Sequence, residues 1–347
     1  MKKILALLLA LWIPAAVLSG CAPQDDSAAS NKLNIVTTIF PAYDWVREIL
    51  GDETDRAEIT TLLDSGVDLH SYQPTVDDIV KISECDLFLY VGGESDGWVD
   101  DALKNAPNKD RKVIRLLDVL GDSAKAEETV EGMQEEEHDH EEEEHDHEEE
   151  KHDHEEEEHD HEEEAEYDEH IWLSLKNAQK LVAAISKALQ ESDPARKDIY
   201  AANAAAYVEK LSALDGEYRA AVDSGKYKTL LFGDRFPFRY LADDYGLDYY
   251  AAFLGCSAET EASFETVSFL AGKMDALGLP CVLTIEGTQH KIAETIVQNT
   301  AQKNQQILTM DSMQAVTAND AASGVSYLSI MEKNLSVLKK ALGQEAE

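Results

Sequence analysis

The sequence predicts an α/β protein of two lobes, each with a four-stranded parallel sheet flanked by helices, joined by one long rigid helix. Three observations predict it. Short apolar runs rich in β-branched and aromatic residues alternate with helical patterns, as in chains built from parallel strands and crossover helices. The runs divide four and four around a helical middle. That middle ends in a single helical pattern of about thirty residues, roughly 45 Å long and able to run the length of both lobes.

The chain begins with a targeting pattern. Lys2 and Lys3 precede an apolar stretch over 4–17, broken only by Pro14, which reads as a signal peptide over 1–20. Leu18, Ser19, Gly20 and Cys21 resemble a bacterial lipobox. The resemblance implies cleavage before Cys21 and lipid on its sulfur and new amino terminus. The mature protein is then expected at the cell membrane, lipid-anchored on the extracytoplasmic face. Residues 21–32 are mostly small and polar, as suits a tether.

In the first lobe (33–191) the candidate strands are 34–39, 58–63, 86–91 and 113–116, with helical patterns over 42–50 and 75–83. Runs such as DLFLYV are nearly continuous in apolar residues, which fits parallel strands covered on both faces. A second amphipathic pattern over 173–191 stops at Asp193 and Pro194. The linking spine helix falls within 192–225, with Pro194 in its first turn, where a missing N–H costs nothing. Ala, Leu, Glu and Lys favour it, and Gly216 alone interrupts it. The second lobe (226–347) carries strands at 229–232, 248–253, 282–285 and 306–309, and helices at 261–277 and 291–302.

Between these elements lies an acidic repeat, HDHEEEE in four successive copies with changes at the last position. It holds eight of the eleven histidines: His138, His140, His145, His147, His152, His154, His159 and His161. Such a segment has nothing apolar to offset ordering entropy, so a disordered loop over 127–167 is expected. Imidazole beside carboxylate is a ligand mixture for transition metals, so these histidines are read as weak loop sites. Residues 135–169 carry 24 acidic side chains against one Lys, and so most of the formal charge of −40. No basic stripe occurs anywhere, which excludes nucleic acid as a partner. Cys85, Cys256 and Cys281 match no zinc-ribbon spacing and read as buried free thiols, with a Cys256–Cys281 disulfide as the alternative for an exported protein.

Outside the repeat only His70, His170 and His290 remain. His70 follows a strand, and loops at the carboxyl ends of strands form the ligand crevice in open α/β sheets. The flanks of two of them are distinctive: V-D-L-H-S-Y-Q-P-T around His70 and Y-D-E-H-I-W-L-S around His170. These resemble two motifs of the metal-binding lipoproteins that feed zinc or manganese ABC importers. Further matches follow in FPAYDWV, YVGGESDGWVDDAL, RYLADDYGL, SAETEAS and KIAETI, so the resemblance covers about 33–345, nearly all of the mature chain. An acidic His-rich insertion before the second motif is common among that family's zinc members, and the repeat stands there.

The resemblance implies a metal cleft between the lobes, with His70 and His170 as ligands and a carboxylate from the second lobe. Asp311 in LTMDSM or Glu286 in LTIEG fills that place, Asp311 being favoured. The family's third ligand falls on Arg235, a cation that cannot coordinate; Asp234 is its substitute if one residue is inserted, and a water or a repeat histidine is the other choice. Trp172, Tyr72 and Tyr240 are expected to pack the cleft and orient the histidines, and His290 to be a surface residue. The implied function is zinc capture and delivery to an ABC permease and its ATPase by a monomer, without catalysis, the repeat acting as zinc collector or sensor. Manganese is the alternative cargo, because oxygen ligands suit it better. A surface adhesin or metal buffer would share the same site. A zinc-dependent hydrolase is the remote alternative: no H-E-x-x-H, G-x-S-x-G or P-loop pattern occurs.

Overall fold

A computed structural model describes residues 32–104, 107–134, 166–257, 261–287 and 290–344. The signal peptide, the lipidation residue Cys21, most of the tether and all eight repeat histidines lie outside the described residues. In the first lobe the elements are β1 (Leu33–Thr37), α1 (Phe40–Leu50), β2 (Ala57–Thr61), α2 (Val76–Glu84), β3 (Leu87–Tyr90), α3 (Val99–Lys104), β4 (Lys112–Arg115) and α4 (Leu116–Leu120). Two long helices follow, α5 (Leu175–Ser192) and α6 (Lys197–Ser224). The second lobe holds β5 (Thr229–Phe236), α7 (Arg239–Tyr245), β6 (Asp248–Leu254), α8 (Phe264–Leu277), β7 (Cys281–Thr284), α9 (Lys291–Asn299), β8 (Gln306–Thr309), α10 (Ala318–Ala322) and α11 (Tyr327–Ala341).

Each lobe has one four-stranded sheet, ordered β2-β1-β3-β4 and β6-β5-β7-β8. Every pairing is parallel. The first strand of each lobe is therefore central, and the sheets repeat one topology. β3 and β7 are almost wholly buried, as their continuous apolar runs require. β5 runs on past the apolar TLLF through Gly233, Asp234 and Arg235, with a register shift against β6 between Phe232 and Arg235. At Gly233 a Cβ would come within 2.7 Å of the Ala293 backbone, so a side chain there would push α9 off the sheet.

The spine α6 buries Tyr200, Ala204, Tyr207, Leu211, Leu214, Tyr218 and Ala221. Alternate steps of four and three place these on one stripe. The stripe packs on α5, on α1 of the first lobe and on α11 of the second. Buried polar atoms tie the same seam. Tyr218 Oη donates to the Met331 carbonyl at 2.7 Å, Tyr327 Oη to the Trp172 carbonyl at 2.7 Å, and Trp172 Nε1 to the Ser312 carbonyl at 2.8 Å. A single apolar cluster consequently spans both lobes.

The expected loop over 127–167 is narrower than its composition suggests. Glu127 N donates to the Glu166 carbonyl at 2.8 Å, and Gln134 N to the Ala252 carbonyl of β6 at 3.0 Å. Residues 127–134 form a strap over the second lobe, pinned also by Lys273 on Glu131 and by Gly132 against the Phe269 ring. Its apolar Val130 and Met133 pack on the core, which the acidic composition around them obscured. Among the described residues no helix is long and apolar enough to cross a membrane.

Candidate metal centre

All the sequence-predicted site residues of the two sheets follow the carboxyl ends of strands: His70 after β2, Asp234 at the end of β5, Glu286 after β7 and Asp311 after β8. His170 stands just before α5, whose N-cap Ser174 accepts from Asn177 N and fixes where the helix starts. This arrangement brings together two of the five. His70 Nε2 and His170 Nε2 lie 3.2 Å apart. Among the described residues, the group whose ligand atoms all lie within 4.8 Å of one another is His70, His170 and Cys256.

Each ring has its Nδ1 engaged by a polar neighbour. His170 is fully buried, and its Nδ1 meets Asp168 Oδ1 at 3.0 Å. The same carboxylate oxygen accepts the His170 backbone N–H at 2.8 Å, so Asp168 grips the residue twice. His70 Nδ1 meets Ser95 Oγ at 2.8 Å, and Glu169 Oε2 lies behind it at 3.5 Å. Burial first, and the neighbouring His170 second, push the His70 imidazole down to about 3, so its ring is neutral near pH 7 and the Glu169 contact is not an ion pair. With each Nδ1 engaged by an outward partner, the two Nε2 atoms converge on one point. Two tetrahedral zinc ligands at about 2.05 Å stand roughly 3.3 Å apart, close to the spacing observed. The donor set fits a soft or borderline divalent cation.

Glycines and aromatics support this geometry. A Cβ on Gly93 would fall 2.0 Å from Glu169 Oε1, so the loop after β3 can present Ser95 only without a side chain there. Ser95 N donates to that oxygen at 2.8 Å. Tyr240 Oη donates to the Asp168 carbonyl at 3.0 Å, and the Trp172 ring lies 5.3 Å from His170. Tyr72 lines, with His70, Glu127, Glu169 and Cys256, a cavity of about 820 Å³ that opens beside the site. His290 immediately precedes α9 and does not join the group.

The three carboxylates expected as ligands are not in that group, and each has other work. Glu286 takes the Ser312 N–H at 2.6 Å, the Ser312 hydroxyl at 2.7 Å and the Gln314 N–H at 3.1 Å, tying β7 to the loop after β8. Asp311 accepts from Met313 N at 2.8 Å within that loop, and burial together with the Glu286 charge raises its carboxyl to about 6. Asp234 accepts the Arg235 N–H at 2.9 Å and the Ile285 N–H at 3.3 Å. Arg235 reaches across to the first lobe, with Nη2 2.5 Å from Asp68 Oδ2. Burial opposes ionisation of Asp68, but the Arg235 hydrogen bond and charge still hold its carboxyl below the ordinary range.

Cys256, which stands in this group, is not among the residues expected from the sequence. Cys85, Cys256 and Cys281 are all free, so the alternative disulfide is not formed. The available signal was position: Cys256 follows the carboxyl end of β6, where the topology places ligand-binding loops. Asp168 and Glu169 were equally legible as the two acids immediately before His170.

Residues 35–341 match the family model described as zinc-uptake complex component A, periplasmic. Among curated relatives, the zinc-binding lipoprotein AdcA of Streptococcus pneumoniae is 33% identical over 345 residues, covering 99% of this chain and 62% of that protein. The chain thus spans less than two thirds of that relative's length. The high-affinity zinc uptake system protein ZnuA of Bacillus subtilis is 30% identical, covering 90% of this chain and 88% of that protein. Among solved structures, the Zn(II)-bound ZnuA-like domain of S. pneumoniae AdcA aligns with a TM-score of 0.66 at 28% identity, covering 90% of this chain and all of that one.

Proposed function

We propose that this chain, which belongs to the family of periplasmic zinc-uptake complex component A, captures zinc outside the cytoplasm and delivers it to an ABC permease driven by its ATPase. The observation that carries the reading is the 3.2 Å approach of His70 Nε2 to His170 Nε2. On the opposite side of each ring a polar partner engages Nδ1. A tetrahedral zinc ion held by both nitrogens would set them about 3.3 Å apart, so their spacing already matches a bound ion. Nitrogen donors select zinc ahead of manganese, which prefers oxygen.

The activity is binding without chemistry. Hydrolysis would need a positioned base and a nucleophilic water on the metal, and the buried carboxylates beside the histidines orient rings or loops instead. Lipid at Cys21 would hold the protein on the outer face of the membrane, within reach of the permease. Release then calls for small shifts, because the spine and its buried hydrogen bonds join the two lobes firmly.

Competition titration against a zinc chelator tests this on protein lacking 135–165, whose histidines would otherwise contribute weak sites. One tight zinc per chain is expected, and His70→Ala or His170→Ala should weaken it by at least about 100-fold. Unchanged affinity in the double variant would remove the site assignment.

A further inference from the structure

We infer that Cys256 is the third zinc ligand of the cleft, coordinating through its sulfur as a thiolate beside His70 and His170. The inference rests on the zinc-capture reading and adds a residue that neither the sequence motifs nor the family resemblance supplied.

Three observations carry it. First, the Cys256 sulfur and one ring nitrogen from each of His70 and His170 form the group of potential ligand atoms lying within 4.8 Å of one another. A tetrahedral Zn–S bond of about 2.3 Å places sulfur roughly 3.6 Å from a bound imidazole nitrogen, so closing the site takes a movement on the order of an ångström. Second, the backbone holds the thiol there. A Cβ on Gly255 would come within 3.2 Å of the His170 ring and 2.9 Å of the Phe236 carbonyl, so this turn packs directly on the imidazole. The Cys256 N–H is further tied to Glu127 Oε1 at 3.3 Å. Third, the position where the resemblance places a ligand is occupied by Arg235, whose guanidinium pairs with Asp68. The second lobe would therefore supply its donor from another loop, and among the described residues the β6–α8 loop brings Cys256 to the histidines.

The step balances simply. Zinc replaces the thiol proton, the S–H bond breaks as the Zn–S bond forms, and the proton leaves to solvent. No redox partner is needed. Cys256 is not fully enclosed and lines the cavity beside His70, so the thiol is reachable by an incoming ion. A His2Cys set is softer than a set closed by carboxylate, which tilts selection further from manganese.

Cobalt(II) is the probe, because thiolate ligation gives it a charge-transfer band in the near ultraviolet that imidazole and carboxylate do not. The full chain can be used, since the repeat contains no cysteine. One equivalent of cobalt should produce the band in the wild type and in Cys281→Ser, and zinc should abolish it by displacement. Cys256→Ser should lack the band and bind zinc at least tenfold more weakly. A wild type without the band, but with zinc binding that still depends on His70 and His170, overturns the sulfur ligand and leaves the capture function standing. In that case loss of binding in Glu286→Gln or Asp311→Asn would assign the closure to a carboxylate. Absence of any zinc binding dependent on the histidines overturns both.

Discussion

A partner on an imidazole's second nitrogen orients the ring and raises its basicity, so affinity here depends on residues that do not touch the ion. Asp168 is the clearest case, since one of its oxygens holds both the ring and the backbone N–H of His170. Asp168→Ala should weaken zinc binding by about 10–100-fold while leaving one ion per chain, as read by chelator competition; unchanged affinity would deny the residue its orienting role. His70 and His170 were legible because each carries a distinctive run of neighbours. Cys256 was not, because a single cysteine beside a strand has no spacing partner to betray it. Asp311, Glu286 and Asp234 also stand at strand ends, as ligands would, and backbone amides of the loops after β7 and β8 donate to their oxygens.

At the level of elements, capping side chains set the ends that periodicity blurred. The helix expected from 261 begins at Phe264 because Ser263 Oγ accepts from Thr266 N at 3.0 Å. β5 outran its apolar core because pairing with β6 carries it through Asp234 and Arg235, and polar residues do not announce a strand. The seam between α1 and α11 has a titration of its own. Asp44 on α1 is buried and accepts the Tyr327 N–H at the start of α11 at 2.9 Å. Burial, the main cause, raises its carboxyl to about 6 from an ordinary 3.8. The folded chain therefore holds an extra proton between those values. The stabilisation is complete below the lower value and is lost as pH rises through the upper one. Asp44→Asn should flatten that dependence and add up to about 3 kcal/mol near neutral pH. Urea unfolding of the metal-free protein at a series of pH values checks it; an unchanged slope between wild type and variant would exclude Asp44 as the cause.

Over the whole molecule, two sheets of one topology face their strand ends toward a shared cleft, and the spine α6, packed on α5, joins them. That plan was readable from the four-and-four division of apolar runs around a helical middle, since each parallel strand buried on both faces writes itself as an apolar run. What composition could not give was the path of the strap 127–134, whose Glu128 and Glu131 face outward while Val130 and Met133 pack inward. An isolated bridge joins Ala126, just before the strap, to Tyr167, and Glu166 and Tyr167 line the cavity beside His70. The central claim is that zinc sits between His70 and His170. Diffraction from zinc-loaded crystals, recorded on both sides of the zinc absorption edge, tests it most directly. The account predicts one strong anomalous peak within about 2.0–2.1 Å of both Nε2 atoms; a peak bonded instead to Glu286 and Asp311, away from either histidine, would contradict it.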